Sequence, residues 1–158
     1  MKMNSLQIKQ VRLDDLMPLI REQLNQGKTV CFSPMGTSML PMLRQGIDTV
    51  TLSSPPERLR KYDLPLYQRD DGKYILHRVV GVGETYTCLG DNQFTLEYGV
   101  RQDQIIALVT SFSRSGREIS VTHPGYRLYC CLWFYSRPVR RFFRRVRNFI
   151  GRWLRRIR

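Results

Sequence analysis

Three short stretches hold side chains whose types and spacing could do chemistry together. The first is "MGTSMLPML", Met35 to Leu43, in which Ser38 sits among a glycine, a threonine and a proline inside an otherwise apolar run. A serine hydroxyl is a poor nucleophile at neutral pH unless a neighbouring base takes its proton. The chain offers two histidines as that base. His123 lies in the turn-like "VTHPGY", whereas His77 lies in the strand-like "YILHRVVGV". An imidazole titrates near neutrality, and one carried on a strand would be rigidly aimed. The third stretch is "LGDN", which puts Asp91 14 residues beyond His77. Each stretch also has an ordinary reading. Ser38 suits a turn or cap, His77 suits a half-buried hydrogen-bonded position, and Gly-Asp-Asn at a strand end is common turn chemistry.

Order and spacing say more than any one of the three. "GTSMLPML", then "LHRVVGV" with 39 residues from serine to histidine, then "LGDN", resembles the boxes of the signal peptidase I superfamily. That group takes in bacterial leader peptidases, the eukaryotic and sporulation-type signal peptidases, and the self-cleaving SOS repressors. In most bacterial members a lysine stands where this chain has His77. A histidine there marks the serine–histidine branch shared with the endoplasmic-reticulum enzymes. The resemblance runs from about Thr29 to Val109.

The resemblance implies a serine endopeptidase that cleaves a leader, signal or precursor peptide, with no cofactor and no metal. Ser38 would be the nucleophile and His77 the general base. Met39 would pack beneath the serine, Pro41 would fix the turn, and backbone N–H groups around Ser38 would form the oxyanion hole. Some bacterial members carry a further hydroxyl two residues before the nucleophile; Gly36 stands there in this chain. A carboxylate should hold the other nitrogen of the histidine and stabilise the imidazolium. Asp91 is the expected acid, with Glu97 close behind it. Lys73, 35 residues after Ser38, is a rival base but falls four residues short of the aligned position. "KYDLPLY" resembles the family's Gly-Asp strand with Tyr62 in place of glycine, which makes Asp63 structural. "TVCFSPM" would line one side of a groove that takes an extended peptide as an added strand.

The elements that must position these residues can be read from periodicity. Leu13, Leu16, Met17, Ile20 and Leu24 recur at three-to-four spacing, with Asp14 and Asp15 ahead of them, Pro18 early in the run and Gly27 just past the end. This predicts an amphipathic helix. From Lys28 onward the pattern becomes short β-rich runs: "KTVCFSP", "DTVTLSS", "LPLYQRD", "KYILHRVVGV", "TYTCLG" and "QIIALVTSF". Asp70-Asp71-Gly72 and Gly81 to Glu84 are suited to hairpin turns. The expected fold class is mainly β, an antiparallel barrel of the signal-peptidase or repressor-peptidase type with an N-terminal helix and a basic C-terminal helix. Its expected parts are an N-terminal helical segment over 1–27, a β-rich peptidase-like domain over 28–122 and a tail over 123–158.

Charge marks that tail. The net charge is +13, yet Arg137 to Arg158 holds ten arginines and no acid, so partners inferred from basicity belong to the tail. Val139, Phe142, Phe143, Val146, Phe149, Ile150, Trp153, Leu154 and Ile157 follow helical spacing, and arginines fill the other face. An anionic membrane surface meeting residues 138–158 fits this pattern best, with nucleic acid as the second choice. The longest apolar run, Leu128 to Tyr135, falls far short of a membrane span, and the N-terminal segment holds charged residues throughout with no apolar stretch of the kind a signal sequence needs. Peripheral association on the cytoplasmic face is expected, with a peptide or precursor protein as substrate. Cys31, Cys88, Cys130 and Cys131 show neither disulfide nor zinc spacing. The competing function is a non-catalytic β-barrel regulator whose arginine-rich tail binds membrane or nucleic acid. Its self-cleaving-repressor form would need a longer N-terminal head than the roughly 27 residues that precede the first strand.

Overall fold

The structure is a computed structural model and describes residues 13–156. Residues 1–12 of the expected N-terminal segment, and Ile157 and Arg158 of the tail, lie outside the described residues. Helix α1 (Leu13–Asn25) has the expected form, with Asp14 and Asp15 in its first turn and Met17, Ile20 and Leu24 buried along one face. Pro18 lies inside it. It ends where Gly27 takes φ +71°, which lets the Lys28 N–H reach the Gln23 carbonyl at 3.0 Å and the Gly27 N–H reach Leu24 at 2.9 Å. Glycine adopts that left-handed conformation without the steric cost of a Cβ, so the helix stops there.

Among the described residues nine strands follow: β1 (Val30–Phe32), β2 (Thr49–Ser53), β3 (Pro65–Gln68), β4 (Tyr74–Leu76), β5 (Arg78–Val82), β6 (Tyr86–Leu89), β7 (Glu97–Val100), β8 (Ile105–Arg114) and β9 (Arg117–Ser120). They form two antiparallel sheets, not one closed barrel. The larger has the order β1-β2-β8-β3-β4, with β9 added on β8; the smaller is β5-β6-β7. The long strand β8 organises the larger sheet, pairing Val50 with Phe112 through β2 and Leu66 with Ala107 through β3. The two end strands, β1 and β4, do not pair with each other.

The run "YILHRVVGV" is not one strand. Leu76 still pairs with Leu66 in the larger sheet, and Arg78 already pairs with Leu89 in the smaller one. His77 is the residue at which the chain changes sheets. Strands β7 and β9, "EYGV" and "REIS", escape the sequence pattern because they are short, polar and largely exposed. Their extended form comes from ladder hydrogen bonds to β6 and β8 and not from their own side chains.

Two helices complete the described residues, α2 (Pro124–Tyr135) and α3 (Arg137–Arg156). They make the protein mixed α and β in nearly equal shares, where a mainly β class was expected. The expected tail is thus two unlike pieces. In α2, Tyr126 and Cys130 join the main core with α1, Met42, Leu43, Leu66 and Phe112. In α3, every described side chain beyond Arg140 is exposed. A second apolar cluster around Leu59, Tyr67, Val79, Cys88 and Ile105 underlies the smaller sheet.

Candidate active site

Ser38 sits in the loop between β1 and β2, and that loop is pinned at both ends. Ser33 Oγ donates to the Asp48 carbonyl at 2.8 Å. The Asp48 carboxylate accepts from the backbone N–H of Arg44 at 2.9 Å and from its guanidinium at 2.9 and 2.7 Å. The Arg44 guanidinium holds that carboxyl at about 2, well below its usual value. Met39, Met42 and Leu43 are buried and anchor the loop to the core. Gly36 takes φ +99°, and its N–H donates to Gln45 Oε1 at 3.0 Å. The Leu40–Pro41 peptide is cis. Ser38 itself stays half-buried beside a cleft of about 510 Å³, which His77 also lines.

His77 is 3% exposed. Its Nδ1 lies 3.5 Å from Glu97 Oε2 and 3.5 Å from the Tyr67 hydroxyl, which itself donates to Glu97 Oε2 at 2.7 Å. Arg69 grips the same carboxylate with Nε on Oε1 and with a terminal nitrogen 2.6 Å from Oε2. Burial lowers the pKa of His77 below its usual value; the nearby Glu97 charge opposes this and Arg69 adds to it. Burial also works against the Glu97 carboxylate, yet its bonds from Arg69 and Tyr67 outweigh that and leave it below the usual range. The site at neutral pH therefore holds a neutral imidazole beside an ionised acid.

The other ring nitrogen, Nε2, faces the Gly-Asp-Asn turn and the backbone of Ser38. A Cβ placed on Gly90 would fall 2.8 Å from the Ser38 carbonyl oxygen and 3.0 Å from His77 Nε2, so only glycine permits this approach. Next along, the Asn92 N–H donates to the Ser38 carbonyl at 2.8 Å and Asn92 Nδ2 donates to the Thr37 carbonyl at 3.2 Å. The turn thus props up the loop that carries Ser38. The Ser38 hydroxyl and N–H make no hydrogen bond among the described residues, to His77 or to any other group. Nucleophile–base contacts are commonly long before substrate arrives.

Asp91 is not the acid beside His77. Its carboxylate is paired with Arg78, Nε to Oδ1 at 2.9 Å and a terminal nitrogen to Oδ2 at 2.8 Å, in a pair 4% and 2% exposed. Burial opposes the Arg78 charge, and Asp91 outweighs it, so the guanidinium remains protonated. Arg78 also donates to the Tyr126 hydroxyl at 2.6 Å and to Cys130 Sγ at 2.8 Å, and lies 3.0 Å from Met42 Sδ. The reason lies at the switch between sheets: Leu76 ends in the larger sheet and Arg78 begins the smaller one, and the two neighbours His77 and Arg78 meet different acids, Glu97 and Asp91. The Asp91 carbonyl meanwhile accepts from Trp133 Nε1 at 2.8 Å and from Arg140 at 3.3 Å, tying the turn to α2 and α3.

The remaining candidates fall into place around these. Lys73 is on the cleft, but its ammonium is well exposed and bound to Asp71 at 2.9 Å within the hairpin turn. Asp63 accepts from the Arg60 N–H through its carboxylate at 2.8 Å and from Val79 through its carbonyl at 2.8 Å, which makes it a turn residue. Tyr62 beside it stands at φ +77°, a conformation that glycine favours. His123 caps α2, accepting from the Gly125 N–H at 3.1 Å, and so is removed from the cleft chemistry. Sequence reasoning missed Tyr67, Arg69 and Arg78. An arginine directly after the candidate base, with two carboxylates beyond, was the one available signal.

Phe32 of β1, Pro34 just after it, Tyr74 and Leu76 of β4, and Leu43 and Leu66 all line the cleft. The two end strands of the larger sheet, which do not pair with each other, therefore meet one apolar cleft with Ser38 and His77 in its wall. Compared with known protein families and curated proteins, the chain matches no family model and no curated sequence.

Proposed function

We propose that the protein is a serine endopeptidase of the signal-peptidase type, with Ser38 as nucleophile, His77 as general base and Glu97 as the acid that orients it. The observation that carries this reading is the two-sided environment of His77: Nδ1 faces Glu97, and Nε2 faces the turn that supports Ser38. A neutral, buried imidazole takes the Ser38 proton as Oγ attacks the peptide carbonyl. The imidazolium that forms is balanced by Glu97, which Arg69 and Tyr67 keep ionised. It then returns the proton to the leaving amine, and water hydrolyses the acyl-serine by the same route in reverse. The unbonded Ser38 N–H suits the oxyanion; one such donor typically contributes about 2.7 to 4 kcal/mol to the transition state.

The signal-peptidase-type barrel belongs to this same reading, with the opening between β1 and β4 as the place for substrate. An extended peptide lying there can hydrogen-bond to strand edges on either side while alternate side chains enter the apolar cleft. The substrate class is accordingly a leader, signal or precursor peptide with apolar residues ahead of the scissile bond. The test is covalent labelling of the native protein with a serine-directed phosphonate. Labelling should vanish in Ser38→Ala and in His77→Ala while circular dichroism shows both still folded. Undiminished labelling of Ser38→Ala would leave a non-catalytic regulator as the better reading.

A further inference from the structure

Helix α3 leaves the body of the protein after its first two turns. From Arg141 to Ile150, and at Arg152 and Trp153, all side chains are exposed. Phe142, Phe143, Phe149 and Trp153 are each 57% exposed or more, and with Val146 and Ile150 they form one continuous stripe at three-to-four spacing. The helix sequence holds nine arginines and no acid, and the exposed arginines from Arg141 to Arg152 stand opposite that stripe. Arg137 and Arg141, Arg140 and Arg144, and Arg141 and Arg145 stand four apart, where like charges weaken a helix. Left in water, such a segment has nothing to offset its repulsion or to cover its aromatic residues. What covers it must be apolar on one side and anionic at the rim.

The contacts of the first turns decide which way the stripe points. The Arg140 guanidinium stacks 3.7 Å from the Trp133 ring, and that of Arg144 lies 4.3 Å over Phe94. Both arginines belong to the polar side, so the helix meets the Asp91–Phe94 loop with that side and turns its aromatic stripe away from it. We infer that this stripe is a docking surface for an anionic lipid bilayer. The helix lies in the interface with phenylalanine and tryptophan at the acyl boundary and arginines on phosphate headgroups. No described helix is long and apolar enough to cross a membrane, which agrees with a helix lying along the surface. Because the same loop reaches Ser38 through Asn92, docking holds the cleft close to the headgroups. This inference does not rest on the peptidase reading.

The experiment is sedimentation of the full chain with phosphatidylcholine vesicles, with and without phosphatidylglycerol, and with brominated acyl chains to quench tryptophan. Binding is expected on the anionic vesicles only. Phe142→Ser and Phe149→Ser should each weaken it about tenfold or more, and Arg141→Gln and Arg145→Gln about fivefold each. Trp153→Phe should keep sedimentation while losing most of the bromine quenching. All five positions are exposed, so folding is spared. The inference is overturned by failure to bind anionic vesicles, by binding that survives both phenylalanine changes, by lipid-free self-association through the stripe that excludes lipid, or by tight oligonucleotide binding without vesicle binding.

Discussion

Asp91 and Glu97 are two carboxylates six residues apart in the chain, and the protein puts them to opposite uses. Asp91 is sealed with Arg78 beneath α2, where the pair also touches Tyr126, Cys130 and Met42. Glu97 is only partly covered and shared among Arg69, Tyr67 and His77. In the first arrangement both carboxylate oxygens accept from one fixed, buried guanidinium. The second has a histidine whose charge state can change during a reaction. Burial with a single committed partner makes a structural ion pair; partial burial with a titratable partner makes a poised one.

This contrast can be broken first at Asp91. Asp91→Ala strands a buried guanidinium, and the loss should be about 3 to 5 kcal/mol in urea unfolding. Replacing both partners, Arg78→Met with Asp91→Leu, should restore a good part of it. If the single change costs under about 1 kcal/mol, Asp91 is not the structural member of the two.

Next in size is Gly90→Ala, which drives a methyl into the Ser38 carbonyl and His77 Nε2. Serine labelling should fall by a hundredfold or more, on the order of 3 kcal/mol, with a smaller loss of stability. Normal labelling would mean that the turn does not set the position of Ser38.

Glu97→Gln sharpens the comparison from the other side. Labelling should slow by about a hundredfold while unfolding changes by roughly 1 kcal/mol or less, since the group is partly exposed. Its pH profile supplies the sign. Labelling needs neutral His77, whose folded pKa is below 6.5, so the wild-type rate should fall only at pH below that value. Glu97 is what holds the pKa up and Arg69 pushes it down, so the acid limb should move to still lower pH in Glu97→Gln. An unmoved limb would mean that Glu97 does not act on His77.

The stability of the wild type carries the same groups. Folded His77 binds its proton more weakly than the unfolded chain does, so stability falls as pH drops below 6.5. Folded Glu97 is also depressed, so its contribution is present above 4.5 and lost as pH falls through its folded value. Glu97→Gln should therefore lose less stability between pH 5 and pH 3 than the wild type, read from urea midpoints. The smallest effect belongs to Lys73→Gln, which should change labelling by less than about twofold because its ammonium is solvated and held by Asp71. A large loss there would revive the lysine as base.

Much of the site was legible because its signals are local. Ser38 between glycine and proline, His77 in an apolar run, and Gly90-Asp91-Asn92 at a strand end are each visible within a few residues, and all three meet in the structure. Helix α1 and most strands were legible for the same reason, since periodicity is written along the segment itself. The pairing of acids was not. Asp91 and Glu97 stand six positions apart, and the choice between them depends on which one meets His77 at the switch between the two sheets and which meets Arg78. The break at His77 was equally hidden, because "YILHRVVGV" has the composition of one strand and is divided only by the partners available on either side. The role of α2 was misread as part of a basic tail, since its burial depends on Tyr126 and Cys130 meeting Arg78 from 48 and 52 residues away.

By itself, then, the amino-acid sequence determined which residues have the chemistry: a serine in a tight turn, one histidine in an apolar run, a glycine that allows close approach, and an arginine helix with an aromatic stripe. Residue type and local period suffice for these, because they rest on backbone preference and side-chain reactivity. Only the tertiary structure decided that Glu97 and not Asp91 stands at His77, that His123 caps a helix, and that α2 belongs to the core while α3 does not. Those outcomes turn on desolvation and on which groups meet across two sheets, and no short window of sequence contains either.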